Sequence, residues 1–238
     1  MVKSELLMDP RQLFADERLS AYCVFCGNIP TTREHAASKV FLDDPLPEDL
    51  PLVGSCHECN NGYSGDEQYL ACLIDCVMSG TTDPGKVQRK KIAATLRHSP
   101  SLAARIEKAK QTDDNGSLSW TPEDARVKNV FLKLARGHVA HQYSEPQLDE
   151  PESMWIAPLE LLTNEQREDF ETLPNSRVWP EIGSRAFINQ IVGMDKTWDA
   201  ESGWHLLQSG RYRYMVAQPS GIIARIVLSE YLACEVVW

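Results

Sequence analysis

A chain of 238 residues with 42% hydrophobic content can bury a real core and has room for one large or two small domains. Its formal net charge of −10 argues against a non-specific coat for nucleic acid. The N-terminus shows no apolar leader and no run approaches a membrane span, so the expectation is a cytoplasmic protein with no membrane partner.

Asp9-Pro10 reads as an N-cap followed by proline at the first helical position, which predicts a short helix within residues 1 to 22. Two cysteine pairs follow, Cys23-x-x-Cys26 and Cys56-x-x-Cys59, with 29 residues between them. Each C-x-x-C turn presents two thiolates on one side, and two such knuckles close a tetrahedral site for a structural Zn²⁺. The alternative, thiols buried as small apolar groups, suits a paired motif poorly. His57 lies inside the second knuckle and is read as facing solvent, since four thiolates already fill the site. Cys72, Cys76 and Cys234 sit in apolar runs and read as packed thiols in a reducing compartment.

The insert between the knuckles carries Glu34-His35, and Asn60 directly follows Cys59. C-x-x-C, then Glu-His, then C-x-x-C-N with Gly and Asp a few residues on, resembles the HNH endonucleases. The likeness is to their zinc-stapled branch, which includes phage recombination endonuclease VII, and it covers roughly residues 20 to 75. It implies a ββα-metal finger, with a β-hairpin bearing Glu34 and His35, a helix starting near Asn60, and one catalytic Mg²⁺ or Mn²⁺ held by Glu34 and Asn60. His35 would then be the general base that activates water. Of the adjacent Asn60 and Asn61 only one can point at the metal, and register with Cys59 favours Asn60.

The chemistry agrees with that implication. A phosphodiester is an anion, so its hydrolysis needs a cation on the phosphate oxygens and a base aimed from the opposite side. A carboxylate and an amide oxygen suit Mg²⁺, and imidazole titrates in the right range. Alternation along a strand sends Glu34 and His35 to opposite faces unless a bend intervenes. The chain departs from the family pattern at Ser38, where proline is common, at Asp49, which stands where a loop-pinning Asn is common, and at Glu34, often Asp in relatives. Asp66 is read as a first-turn helix acid, not a third ligand.

Tyr69, Leu70, Leu73, Ile74 and Val77 form a helical stripe that predicts a helix to Met78. From Lys86 to Lys110 eight Lys and Arg stand against Glu107 alone, a basic helical hairpin broken at Ser99-Pro100. With Arg33 and Lys39, its residues Arg89, Lys90 and Lys91 are the candidate contacts to nucleic acid; a solvated helix face is the alternative. Gln111 to Ser119 is the best internal boundary. Thr121-Pro122 predicts the start of another helix, with Val127, Val130, Phe131 and Leu134 facing the core. His138 and His141 on its last turn read as cationic groups complementing the helix dipole.

A Pro-rich acidic connection over 145–158 leads to a Thr163-x-x-Gln166 capping box. From Trp204 the period changes to two, predicting an antiparallel β-meander through Leu228, with Glu230 to Trp238 a last strand or short helix. Tyr212 and Tyr214 take one face of it and Arg211 and Arg213 the other, the arginines reaching to water. Trp179, Trp198, Trp204 and Trp238 are expected in a core. Residues 179 to 185 and 210 to 214 resemble stretches of uncharacterised bacterial HNH-containing proteins, which implies a bacterial origin and supplies no chemistry.

The expectation is therefore an α+β chain with an HNH nuclease domain over residues 1–80, a basic segment over 81–119 and an α+β domain of unknown role over 120–238. The expected substrate is DNA, with RNA kept open, and with a homodimer or an activating protein as further partners. The rivals are a non-catalytic zinc module and a thiol redox protein.

Overall fold

The computed structural model describes residues 21–176, 179–193 and 195–238; the helix expected at Asp9-Pro10 lies outside them. The fold is mixed α+β. Strands β1 (Thr32–His35) and β2 (Leu52–Ser55) form an antiparallel hairpin, followed by a short helix α1 (His57–Gly62) and a long one, α2 (Ser64–Ser79). Tyr63 interrupts the helical run between them. Acidic Asp66 and Glu67 occupy the first turn of α2, where the helix dipole favours them, and Gly80 ends it in the left-handed region at φ 65°.

The basic hairpin is α3 (Lys90–His98) and α4 (Pro100–Ala109), broken at Ser99 as the sequence predicts. The expected boundary loop is a tight two-stranded ribbon, β3 (Lys110–Thr112) and β4 (Leu118–Trp120). Helix α5 (Asp124–Tyr143) is the central element. Its N-cap is Glu123, two residues later than Thr121-Pro122 suggests. Val130, Phe131, Leu134, Ala135 and Val139 are fully buried, and burying a large side chain such as Phe131 stabilises by about 1.5–3 kcal/mol.

Five antiparallel strands complete the fold in the order β5-β9-β8-β7-β6. They are β5 (Ser153–Pro158), β6 (His205–Gln208), β7 (Tyr212–Ala217), β8 (Ile223–Leu228) and β9 (Leu232–Val237). The last segment is thus a strand. The supposed connection contains β5, which pairs with β9 along its length. One sheet face, with Tyr212, Tyr214, Ile226 and Cys234, joins the core shared with α2 and α5. The other, with Met215, Val227 and Ala233, packs against Phe170 of α6 (Asn164–Glu171) and Trp204. The Thr163–Gln166 capping box is formed in both directions. Helix α7 (Arg185–Val192), capped by the Ser184 hydroxyl, was not foreseen.

The largest core cluster draws on residues from Ala37 to Val236, so the three expected segments share one interior. Asp43 marks the joint: its carboxylate accepts from Arg89 Nε and Arg211 Nε, each at 2.6 Å, while Gln208 bonds its backbone at both ends. Arg213 likewise does not reach free into water; it grips Glu171 at 2.7 and 2.8 Å and lies over the Trp204 ring. Of the tryptophans expected in a core, Trp204 is buried, but Trp179 is 70% exposed.

Candidate metal centre and catalytic site

The first knuckle turns at Gly27, whose φ of 76° suits glycine. It is pinned by Gly27 N–H to the Cys23 carbonyl and by Val24 N–H to the Gly54 carbonyl on β2. The second knuckle is the N-terminus of α1, with Cys56 as N-cap accepting from the Cys59 amide. The sulfurs of Cys23, Cys26, Cys56 and Cys59 all lie within 4.8 Å of one another, and Cys26 and Cys56 are 3.7 Å apart. Tetrahedral zinc at about 2.3 Å per Zn–S bond sets its sulfurs about 3.8 Å apart.

Burial opposes ionisation of Cys23, yet hydrogen bonds from the Cys56 and Phe25 backbone outweigh it and hold the thiol down to about 7. Burial pushes Cys26 and Cys59 up. A cation is what lets four such thiols ionise together, and the donor set fits a structural metal such as zinc. Burial drives Cys72 and Cys76 up to about 12, as inert packed thiols. His57 is exposed, as expected.

On the hairpin, Glu34 stands opposite buried Val53 and His35 opposite exposed Leu52, so the two do take opposite faces. The ammonium of Lys133, from α5, reaches Glu34 Oε1 at 2.7 Å, Glu67 Oε1 at 2.7 Å and the His35 carbonyl at 3.5 Å. His35 is half-buried, and burial, then the charges of Lys39 and Lys133, hold its pKa below the ordinary imidazole value. It is neutral, and able to accept a proton, at physiological pH.

Asn60 turns its amide to the β1 backbone, 3.4 Å from the Arg33 carbonyl and 3.5 Å from Thr32 Oγ1. Asn61 bonds exposed His57 instead. The structure therefore brings Asn60 against the strand that carries Glu34 and His35, while the Glu34 carboxylate itself turns toward Lys133. Among the described residues the four cysteines are the one grouping of three or more His, Cys, Asp or Glu donors at metal-binding spacing. Asp66 is claimed by Arg126 and by Asn129 at 2.7 Å, in keeping with a helix acid.

Sequence reasoning missed Lys133 and Glu67. Each was signalled by a charge on an apolar helical stripe: Lys133 three residues after Val130, and Glu67 three before Leu70. Also missed was the close approach at Gly137, where an added Cβ would sit 3.1 Å from Ala36 Cα. That contact presses α5 against the residue following His35.

Of the candidate nucleic-acid contacts, Arg33, Lys39, Lys90 and Lys91 are exposed, and Lys91 Nζ bonds the Lys39 carbonyl at 3.0 Å. Arg89 is a correction. It is 6% exposed, fully committed to Asp43, Asp75 and two carbonyls, and holds the core together. The reading of His138 and His141 as cationic dipole partners is corrected too: His141 does lie on the last turn of α5, but both rings are buried. Desolvation, then neighbouring positive groups, keeps them well below the ordinary value. His138 stacks on Tyr214 at 3.7 Å and bonds the Tyr212 hydroxyl at 2.7 Å.

No protein-family model, no curated protein and no solved structure matches the chain. No helix among the described residues is long and apolar enough to cross a membrane.

Proposed function

We propose that the chain is a metal-dependent HNH-type endonuclease that hydrolyses phosphodiester bonds of DNA, with His35 as general base. One observation carries the reading: the hairpin bearing Glu34-His35 runs into a helix whose Asn60 packs back on that hairpin, with four cysteines gathered at the junction. A ββα finger is that order of elements, and a zinc between the knuckles fixes the backbone from Cys59 into Asn60.

A Mg²⁺ or Mn²⁺ ion would be held by Asn60 and by Glu34, whose Oε1 is taken by Lys133, and would neutralise charge on the phosphate and leaving oxygen. The chain supplies the rest. His35, neutral because burial and nearby cations resist its protonation, takes the proton of the attacking water. Lys39 and Lys91, held side by side, meet flanking phosphates, with Arg33 and Lys90. By the family resemblance the products carry a 5′-phosphate and a 3′-hydroxyl.

A second reading, a zinc module that binds nucleic acid or protein without cutting it, draws on the Lys133–Glu34 ion pair, which occupies the carboxylate a catalytic metal would use. Supercoiled plasmid incubated with Mg²⁺ or Mn²⁺ separates the two. The wild type is expected to nick or linearise it, and His35→Ala, still holding one zinc, to leave it intact. Two zinc-loaded proteins that cut neither plasmid, single strands, branched DNA nor RNA would favour the binding module.

A further inference from the structure

A second site lies at the far end of α5. A cavity of about 420 Å³ opens between the end of that helix, α7 and the segments carrying Trp179 and Trp198, a size ordinary for a small-molecule pocket. Three of its walls are buried polar side chains. Gln142 is 2% exposed, and its Nε2 donates to the Tyr214 hydroxyl at 2.8 Å, while its Oε1 has no hydrogen-bond partner among the described residues. Gln142 is one of the residues lining the cavity, and a buried carbonyl oxygen without a donor is costly to keep.

His205, 4% exposed, stacks on Tyr214 and has Nδ1 3.3 Å from Asp195 Oδ2. That contact leaves Nε2 as the ring nitrogen free to meet an occupant. Asn189, 7% exposed, adds an amide with both a donor and an acceptor. The indoles of Trp198 and the largely exposed Trp179 supply flat apolar faces. Among the described residues no Lys, Arg, Asp or Glu lines the cavity.

An occupant with a flat ring and polar groups along its edge fits the indoles and amides of this lining. We propose that this cavity binds a nucleobase, its rings against indole and its edge read by Gln142, Asn189 and His205. Two sources share that chemistry: a free nucleoside, or a base turned out of a nucleic-acid strand. The second source rests on the nuclease reading. Gln142 is nine residues beyond Lys133 on one helix, about 14 Å along its axis.

The test is tryptophan fluorescence of the full chain without divalent cations, so that binding is read apart from cleavage. It is titrated with each nucleoside, with a short single-stranded oligonucleotide, and with the same oligonucleotide made fully abasic. Saturable quenching by at least one nucleoside supports a free-base site. Quenching by the oligonucleotide and not by its abasic form supports a base taken from a strand. In either case Asn189→Leu, and independently Gln142→Met, weakens binding tenfold or more in proteins whose circular dichroism is unchanged. The proposal is overturned if no base-containing probe quenches, or if both folded variants bind as tightly as the wild type. A chain that binds nucleoside but cuts no plasmid would lose the nuclease reading and keep this site.

Discussion

The Lys133 ammonium and the Glu34 carboxylate meet at 2.7 Å, with the lysine side chain 1% exposed. Glu67 closes the group from the other side at the same distance, so two carboxylates share one ammonium and the cluster keeps one surplus negative charge. Such an arrangement fixes the direction of the Glu34 carboxylate.

Removing the ammonium should therefore be expensive. Lys133→Met leaves two largely buried carboxylates facing each other without their counter-charge, and breaking a buried pair in this way costs about 3–5 kcal/mol. Urea denaturation should show that loss. Adding Glu67→Gln to Lys133→Met should restore part of it, because one of the two like charges is gone. Equal stability of the single and double variants would mean that the three groups are not coupled.

The cysteine centre predicts a stoichiometry. The purified chain should carry one zinc by elemental analysis, and Cys56→Ser or Cys59→Ser should lower that content sharply. A chelator strong enough to strip the metal should unfold the hairpin region, because folding and metal binding are one equilibrium in such sites. Circular dichroism and zinc release followed together would check it; a chain that loses zinc with no change in melting would contradict a structural role.

For His35 the sign of the pH effect follows from its surroundings. Burial, Lys39 and Lys133 all disfavour the protonated ring, so the neutral base persists below the ordinary value of about 6.5. The acid limb of cleavage should accordingly fall below that pH. Lys39→Gln removes one repelling charge, so the limb should move to higher pH, while the lost phosphate contact raises KM. A limb that stays fixed would show that some other group titrates.

His138 and His141 give a stability prediction of the same kind. Both are buried and held well below the ordinary value, so the unfolded chain binds protons that the folded chain refuses. The stability they protect is present above the unfolded value of about 6.5 and is lost as pH falls beneath it. The slope is up to about 1.4 kcal/mol per pH unit for each ring. Denaturation midpoints between pH 7.5 and 5.5 should decline steeply, and His141→Gln should flatten the decline by close to one proton.

How far the sequence could be read depended on whether the signal was local. The two C-x-x-C turns, the T-x-x-Q box and the alternation of Tyr212 and Tyr214 are properties of neighbouring residues, and the structure contains each of them. Arg89 failed because its partner Asp43 is 46 residues away, and spacing along the chain says nothing of that. Lys133 was missed for a similar reason: its carboxylates are 99 and 66 residues distant. Strand β5 was lost because prolines at 146, 151 and 158 made its surroundings look like linker, although only Pro158 falls within the pairing, at its end.

The shared interior bears on how such a chain could be divided. Tyr69, Leu70 and Ile74 of the helix behind the zinc knuckles bury their side chains in the same cluster as Phe131 of α5 and Ile226 of the sheet. Cut free near residue 80, the N-terminal piece would keep its metal knuckles but lose the wall its helix leans on. It would also lose Lys133 from beside Glu34. The zinc hairpin here is not a cassette that could be grafted elsewhere unchanged; the scaffold that orients it is drawn from residues as far apart as Ala37 and Val236.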